Sequence, residues 1–430
     1  MRPRIGLLLV VLSLAGCGLP GPASPDAPTA GTTVPTPATP ELPTPLVATS
    51  SPTPVPTPAP TGMPGPVPSG TPIPAGRPAA RFGYVAKGMT AEVMAFVGAD
   101  HLAYASDHLD FGVVSTLAFF SLVPTATGDL PMSSPGWRAW TSPVMDAVIA
   151  RAHAAGTRVV LSLARFAWSA ADVAASTSIL ASPAVRHHLA DVVAAEVVRR
   201  GVDGVNVDFE PIPVGQAADF TDFVRRLRRD LDDEGPGYQL TVAVTGHYDS
   251  WDVAGLVARG GADALYLMGY EYAGSWSTVA FSTAPYGGPR YNVATTVQWL
   301  LRVVRPDQLI VGVPYYGHLW PTAGPAIHAR TLGGGGDLPY PEALRLAQAN
   351  GIRYDPVEQS AWSEWEVRDC SACALHWVQL YFDDAPSLAA KWAFIRDEHL
   401  LGTGVWRIED EGTPGAIDAA MRAAFLPGTS

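Results

Sequence analysis

Cysteine and positive charge are both scarce in this chain. It has three cysteines in 430 residues, and its 28 Lys and Arg residues are outnumbered by 40 Asp and Glu residues, which gives a formal net charge of −12. No basic cluster offsets this balance, so we expect no nucleic-acid partner. The apolar run Ile5–Leu14 is too short to span a bilayer permanently.

Residues 1–17 have the order of a secretory signal peptide. The basic start Met1-Arg2-Pro3-Arg4 precedes the apolar run, and Cys17 follows it. The sequence Leu14-Ala15-Gly16-Cys17 resembles the bacterial lipobox, which implies cleavage before Cys17 and a lipid on its sulfur. We therefore expect an extracytoplasmic lipoprotein that is anchored to the membrane through Cys17, or else a secreted protein. An ordinary signal peptide with an incidental cysteine is the alternative.

Aromatic residues are almost absent from residues 18–80, where Pro, Thr, Ser, Ala and Gly dominate. Such a segment buries too little apolar surface to offset its chain entropy, so it is predicted to be a disordered linker. Its Pro-Thr-Pro steps favour a semi-stiff polyproline II tether. Whether it is O-glycosylated stays open.

Residues 81–427 have a globular composition and are expected to act as a monomer. Eight apolar, β-branched runs recur there, with amphipathic helical segments such as Pro183–Arg200 between them. This alternation predicts an α/β fold, a (β/α)8 TIM barrel, rather than a doubly wound open sheet, because no Gly-rich phosphate loop follows the first strand. The predicted strands are Phe82–Ala86, Val113–Phe119, Arg158–Leu163, Gly204–Phe209, Leu240–Thr245, Ala264–Met268, Leu309–Pro314 and Gly404–Ile408.

The longest gap lies between predicted strands seven and eight, over residues 315–401. It has room for a helix and a small β-containing insertion that includes Leu375–Phe382. Cys370 and Cys373 fall in this gap, and in an oxidising compartment such a pair is expected to form a local disulfide. A zinc half-site is the alternative, although only His376 is near. Thioredoxin-like chemistry lacks its strand–helix context. We expect no metal and no cofactor.

The fourth predicted strand carries the strongest functional signal. Val205, Val207 and Phe209 alternate with Asn206, Asp208 and Glu210, which indicates a strand with one apolar and one polar face. In the centre of a parallel sheet the polar face is enclosed, so the two carboxylates would lie about 6–7 Å apart at the backbone. Their repulsion would keep one of them protonated, as a general acid requires. A solvated edge strand is the alternative.

Other polar and aromatic residues follow neighbouring predicted strands, at the face of the barrel where active sites form. Tyr270 and Glu271 close strand six, Tyr315 and Tyr316 close strand seven, and Trp406 closes strand eight. Core packing is the alternative role for Tyr315 and Tyr316. Aromatic rings beside carboxylates are typical of sugar sites, and Tyr84 in the first predicted strand is a further candidate for substrate binding.

The run from Asp203 to Glu210 resembles the glycoside hydrolase family 18 signature Asp-Gly-x-Asp-x-Asp-x-Glu, with Asn206 in place of one Asp. The substitution is more similar to the branch of spore-cortex-lytic, peptidoglycan N-acetylglucosaminidases than to chitinases. Similar family elements are found in Met268–Glu271, Gly312–Gly317, Tyr381–Asp384 and Gly404–Trp406. The run Ser162–Arg165 departs from the Ser-x-Gly-Gly pattern, and this bulkier segment puts long chitin-type subsites in doubt.

The resemblance implies a retaining, substrate-assisted hydrolysis of β-N-acetylglucosaminyl linkages in a cell-wall or chitin-like polysaccharide. Glu210 would be the general acid, Asp208 would stabilise the cyclised acetamido intermediate, and Tyr270 would orient the acetamido group. Substrate-binding roles are implied for the set Asn206, Glu271, Trp406, Tyr315 and Tyr84. A chitinase proper and a non-hydrolytic lectin of the same fold are the alternatives, and the retained Glu210 disfavours the lectin.

Overall fold

The computed structural model describes residues 81–246, 250–289, 291–368, 373–412, 415–426 and 428. The predicted signal peptide, Cys17, the linker and Cys370 lie outside these residues. Among the helices of the described part, none combines the length and the apolar character needed to cross a membrane.

Eight parallel strands close into a barrel in the spatial order β1-β13-β7-β6-β5-β4-β3-β2, which confirms the predicted fold class. They are β1 (Glu92–Gly98), β2 (Thr116–Leu122), β3 (Arg158–Phe166), β4 (Gly204–Glu210), β5 (Gln239–Thr245), β6 (Ala264–Met268), β7 (Leu309–Pro314) and β13 (Gly402–Trp406).

Helices follow or connect these strands. They are α1 (Gly83–Ala86), α2 (Leu102–Asp107), α3 (Pro135–Trp140), α4 (Pro143–Ala154), α5 (Ala170–Ala181), α6 (Pro183–Arg200), α7 (Ala217–Glu234), α8 (Val253–Leu256), α9 (Val293–Leu300), α10 (Tyr340–Asn350), α11 (Ala385–Asp397) and α12 (Ala416–Phe425). Local sequence explains the bounds of α6: the Ser182 side chain accepts a hydrogen bond from the Val185 amide, and Gly201 ends the helix in the left-handed region at φ 63°.

The predicted insertion between the last two barrel strands is an antiparallel sheet with α10 beside it. Its strands are β8 (Tyr316–Thr322), β9 (Gly336–Pro339), β10 (Arg353–Asp355), β11 (Ser360–Val367) and β12 (His376–Phe382), in the spatial order β10-β11-β12-β8-β9.

The side chains of β4 alternate between the outer core and the interior of the barrel. Val205, Val207 and Phe209 belong to the core between the barrel and its helices, where the Phe209 ring lies 5.5 Å from the Phe220 ring of α7. The alternate residues Asn206 and Asp208 are buried on the other face. The polar side chains of this strand therefore point into the barrel.

The first strand was predicted at the wrong place. Phe82–Ala86 contains the short helix α1, and the strand is Glu92–Gly98, seven buried residues with no polar alternation. Phe82 instead packs among the side chains inside the barrel. A continuous apolar run is the form that a fully enclosed parallel strand takes, and this signal is what the first prediction overlooked.

The run Ser162–Arg165, which departs from the Ser-x-Gly-Gly pattern, lies entirely inside β3, which extends past the predicted end at Leu163. Ser162 pairs in register with Asn206, and Ala164 with Asp208. None of the four residues of this segment lines the cavity at the barrel mouth, whose lining includes Phe166 and Trp168 instead. The expectation that long chitin-type subsites are absent stays a prediction.

Candidate active site

Asp208 and Glu210 are the acidic residues at the carboxyl end of β4. Both line a cavity of about 240 Å³ at the barrel mouth, together with aromatic residues from neighbouring strands. Asp208 is almost fully buried at 4% exposure, whereas Glu210 is half-buried. The parallel barrel therefore brings the predicted pair of carboxylates into one enclosed space.

Burial is the main reason why both carboxyls bind protons more tightly than usual. Burial raises the pKa of Glu210, and repulsion from Asp208 and Glu271 raises it further. The pKa of Asp208 is also raised by burial, but a hydrogen bond from Glu210 opposes this rise by favouring the charged form of Asp208. The pair thus holds a proton near neutral pH, and the direction of the hydrogen bond puts that proton on Glu210.

Asn206 precedes Asp208 by two residues on the same face of β4, deeper inside the barrel, and it is fully buried. Its side-chain oxygen accepts a hydrogen bond of 2.8 Å from the hydroxyl of Thr241 on β5. It lines none of the cavities at the barrel mouth that contain Glu210. The structure therefore places Asn206 beneath the cavity rather than on its lining.

Tyr270 and Glu271 follow β6 and line the same cavity. Tyr270 is buried, and its ring is nearly parallel to that of Trp406, with centroids 6.5 Å apart. Glu271 reaches solvent at the cavity rim and has a left-handed backbone at φ 58°, which is uncommon for a residue other than glycine. Partial burial and repulsion from Asp337 raise the pKa of Glu271.

Trp406 at the end of β13 forms the aromatic floor of the cavity. Its ring meets Phe120 edge-on at 4.6 Å and Phe96 at 5.6 Å between centroids. Edge-to-face packing of this kind fixes the indole plane, and the residue lines the same cavity as the two carboxyls. A flat apolar floor below two carboxyls is suited to a sugar ring.

Several lining residues were missed by sequence analysis because the ends of the first three strands were set too early. Phe96 lies in the true β1, Phe120 in β2, and Phe166 at the end of β3, all on the cavity. Trp168 follows β3, is 72% exposed, and stacks on Phe166 with centroids 4.4 Å apart. The available signal in the sequence was the pair Phe166 and Trp168 shortly after the predicted end of the third strand.

A second depression of about 410 Å³ continues from the cavity and shares Trp168, Glu210 and Glu271 with it. Its far side is formed by Trp251 and by Trp276, which is 65% exposed. Glu210 therefore lies at the junction of two depressions that are both lined with aromatic rings. This arrangement has space for sugar units on either side of the acid.

Two predicted substrate-binding residues are not in the cavity. The backbone amide of Tyr84 faces Glu92, the first residue of β1, so Tyr84 lies at the opposite end of the barrel. Tyr315 is fully buried in the core between the barrel and its helices. Alternation along β7 explains this outcome, because Val313 also faces that core whereas Ile310 points into the barrel.

Cys373 takes part in a disulfide in the insertion. Cys370, the partner that the sequence predicts, lies outside the described residues, so this pairing stays a prediction. Cys373 is not among the residues that line the cavity at the barrel mouth.

Known proteins with similar sequences include enzymes that act on sugars, which agrees with a cavity suited to a sugar ring. Over 252 residues the chain is 26% identical to "Putative sporulation-specific glycosylase YdhD" of Bacillus subtilis, a match that covers 55% of this chain and 54% of the relative. The chain spans about half the length of the curated relatives it matches.

Solved structures with similar folds include a chitinase from Cycas revoluta in complex with (GlcNAc)3 and a chitinase-like agglutinin from Robinia pseudoacacia. The chitinase has a TM-score of 0.65 at 20% identity, covering 78% of this chain and 98% of its own. The agglutinin has a TM-score of 0.66 at 19% identity, covering 77% and 99%. At these identities the likeness shows the fold. The family model of the glycosyl hydrolases family 18 matches residues 93–411, and the chain belongs to this family.

Proposed function

We propose that this protein hydrolyses β-N-acetylglucosaminyl linkages with retention of configuration, and that the acetamido group of the substrate is the nucleophile. The observation that carries the proposal is the pair Glu210 and Asp208, with the shared proton on Glu210, above the aromatic floor formed by Trp406. Because the substrate supplies the nucleophile, this scheme needs no carboxylate of the protein to form a covalent bond to the sugar.

Each residue has a role that follows from its position. Glu210 donates its proton to the glycosidic oxygen as the bond to the anomeric carbon breaks. The acetamido carbonyl oxygen of the same sugar attacks that carbon, and Asp208 accepts a hydrogen bond from the acetamido N–H and balances the positive charge that develops there. Tyr270, beside Trp406, orients the acetamido group. Glu210, now ionised, then takes a proton from the water that opens the ring.

The substrate is proposed to be a polymer that extends to both sides of Glu210. The acid lies at the junction of two aromatic depressions, with exposed Trp168 shared by both. The relative in Bacillus subtilis is named a sporulation-specific glycosylase, and the Cycas revoluta enzyme binds (GlcNAc)3. These names favour a cell-wall or chitin-like glycan. The lipobox-like sequence at Cys17 is the separate reason for proposing a lipid anchor that holds the enzyme near its polymer.

The test is to incubate the full chain with chitin oligomers and with peptidoglycan and to analyse the products by mass spectrometry. Proton NMR in the first minutes should show the β-anomer before mutarotation. De-acetylated oligomers should be resistant, and a thiazoline mimic of the cyclised intermediate should inhibit. An inverted product, or equal rates on acetylated and de-acetylated substrates, would refute the mechanism.

A sugar-binding protein without activity is the second candidate, since an agglutinin shares the fold. The same incubation separates the two. Binding of oligomers with no products, at enzyme concentrations where a chitinase standard completes the reaction, would favour the lectin.

A further inference from the structure

Three side chains of the insertion converge at a point away from the catalytic cavity. His328 lies between β8 and β9, Asp355 ends β10, and Glu358 lies just before β11. Nε2 of His328 is 2.9 Å from Oδ2 of Asp355 and 3.3 Å from Oε1 of Glu358. These three atoms lie within 4.8 Å of one another, so residues separated in sequence form one compact donor set.

The backbone holds each carboxylate by one oxygen and leaves the other directed at His328. Oδ1 of Asp355 accepts hydrogen bonds from the amides of Val357, at 2.8 Å, and Glu358, at 3.1 Å. Oε2 of Glu358 accepts one from the amide of Ser282, at 2.8 Å. Such outer contacts orient ligand side chains in metal sites.

The free oxygen of Asp355 is the least satisfied atom of the cluster. Asp355 is 2% exposed, and its Oδ2 has no hydrogen-bond partner among the described residues, although it faces Nε2 of His328. A buried carboxylate oxygen without a hydrogen-bond donor is costly, and its position 2.9 Å from Nε2 of His328 and beside a second carboxylate favours a cation between the three atoms.

The imidazole is also held in place. The backbone amide of His328 donates to the hydroxyl of Tyr381 at 3.1 Å, and the two rings lie nearly parallel with centroids 6.1 Å apart. His328 itself has a left-handed backbone at φ 59°. The outer side of the ring is partly open to solvent, since the side chain is 39% exposed, which leaves a route for an ion and for water as a further ligand.

We propose that His328, Asp355 and Glu358 bind one divalent metal cation of the kind that accepts mixed nitrogen and oxygen ligands, represented by Zn²⁺. Ligand bonds of about 2.1 Å with angles between 90° and 109° would separate the ligand atoms by about 3.0–3.4 Å. The two contacts of His328, 2.9 and 3.3 Å, match this range closely. The cation would join the turns of the insertion to the loop after β6 through Ser282, and so stabilise the antiparallel sheet.

Direct binding tests the proposal. The full chain, stripped with a chelator under non-reducing conditions, is titrated with Zn²⁺ by calorimetry and by thermal unfolding. We expect one ion bound per chain at this site and a rise in the unfolding temperature with Zn²⁺ concentration. Co²⁺ bound in place of Zn²⁺ should give a visible absorption band characteristic of nitrogen and oxygen ligands.

Two variants locate the site. His328→Ala removes a half-exposed ligand, and Glu358→Gln keeps an oxygen for the Ser282 amide while removing the charge; each should weaken Zn²⁺ binding about tenfold or more. His188→Ala is the matched control, because His188 pairs with the single exposed carboxylate of Asp129 at 2.8 Å. Circular dichroism establishes that each variant is folded. Unchanged Zn²⁺ affinity in folded Glu358→Gln and His328→Ala, or no saturable binding by the wild type, would overturn the proposal and leave a histidine ion-paired with two acids.

Discussion

The hydroxyl of Thr241 donates a 2.8 Å hydrogen bond to the side-chain oxygen of Asn206, beneath the carboxylate of Asp208. This contact fixes the amide in a fully buried layer of the barrel. The side-chain nitrogen of Asn206 and Oδ1 of Asp208 have no hydrogen-bond partner within the described residues. A neutral amide thus occupies the layer where the family signature usually has a third carboxyl, and Asp208 lacks a negative neighbour below it.

Asn206→Asp should make stability more dependent on pH. The new buried carboxyl would be protonated in the folded state at pH values where it is ionised in the unfolded chain, so the free energy of unfolding should fall, relative to the wild type, between pH 5 and pH 8. At pH values where this carboxyl ionises in the folded state, its charge would also raise the pKa of Asp208 and shift the acidic limb of the kcat/KM profile to higher pH. Urea unfolding at several pH values and the rate profile measure these effects.

Thr241→Val is the matched control for that variant. It removes the hydrogen bond that the Thr241 hydroxyl donates to residue 206, and it adds no charge, so it should lower the free energy of unfolding by about 1 kcal/mol at every pH. The explanation fails if Asn206→Asp and Thr241→Val show the same dependence on pH.

Glu210→Gln should abolish hydrolysis while leaving sugar binding intact. The substitution is nearly isosteric and removes only the transferable proton, so kcat should fall by about 10²–10⁴-fold with little change in oligomer affinity. Initial rates and calorimetric titration with an N-acetylglucosamine oligomer measure the two quantities. Glu234→Gln, at the exposed end of α7, is the control and should behave as the wild type. Turnover within a few-fold of the wild type would exclude Glu210 as the acid.

The same substitution should flatten part of the pH dependence of stability. Burial, then repulsion from Asp208, raises the pKa of Glu210 from about 4.5 to about 9. A carboxyl whose folded pKa is raised contributes its stability fully below the unfolded pKa and loses it as pH rises toward the folded pKa. Between pH 5 and pH 9 the wild type should therefore lose stability relative to Glu210→Gln. Parallel unfolding curves for the two proteins across this range would contradict the assignment.

Cys17→Ser should move the protein from the membrane fraction to the soluble fraction. The lipid expected on this sulfur is the only strong anchor that the sequence offers, and stable anchoring requires more than one acyl chain. Fractionation followed by immunoblotting measures the distribution, with detergent extraction of the wild type as the control. Retention of the variant in membranes after a high-salt wash would show that the lipoprotein prediction is wrong.

The parts of the fold that were predicted correctly are those with a strong local period. The alternation in β4 determined both the strand and the inward face of Asp208 and Glu210, and α6 was bounded by its own caps. Strand β1 was missed because a fully enclosed strand has no alternation to detect. Tyr315 was assigned to the site although the alternation in β7, followed one residue further, turns it toward the helices.

Other features depend on tertiary contacts that no local pattern encodes. Trp168 reaches the cavity only because β3 continues to Phe166 and the two rings stack. His328, Asp355 and Glu358 meet through two separate turns of the insertion, with 26 residues between His328 and Asp355. No spacing motif marks such a group, and the sequence accordingly led us to expect no metal.

Trp168→Ala should weaken the binding of long oligomers more than it slows the chemical step. The Trp168 ring is 72% exposed and lines both depressions beside Glu210. It therefore offers a stacking surface to a sugar unit of the polymer, and it has no assigned role in proton transfer. Loss of one aromatic contact worth about 1–1.5 kcal/mol should raise KM for oligomers of four or more sugars by about tenfold and change kcat by less than threefold. For a disaccharide substrate the increase should be smaller, because fewer sugars reach the ring.

Tyr354→Ala is the matched control, since Tyr354 is another exposed aromatic residue, on β10 of the insertion, that lines neither depression. An equal rise in KM for short and long oligomers, or a loss confined to kcat, would mean that Trp168 acts on the acid itself rather than on the polymer.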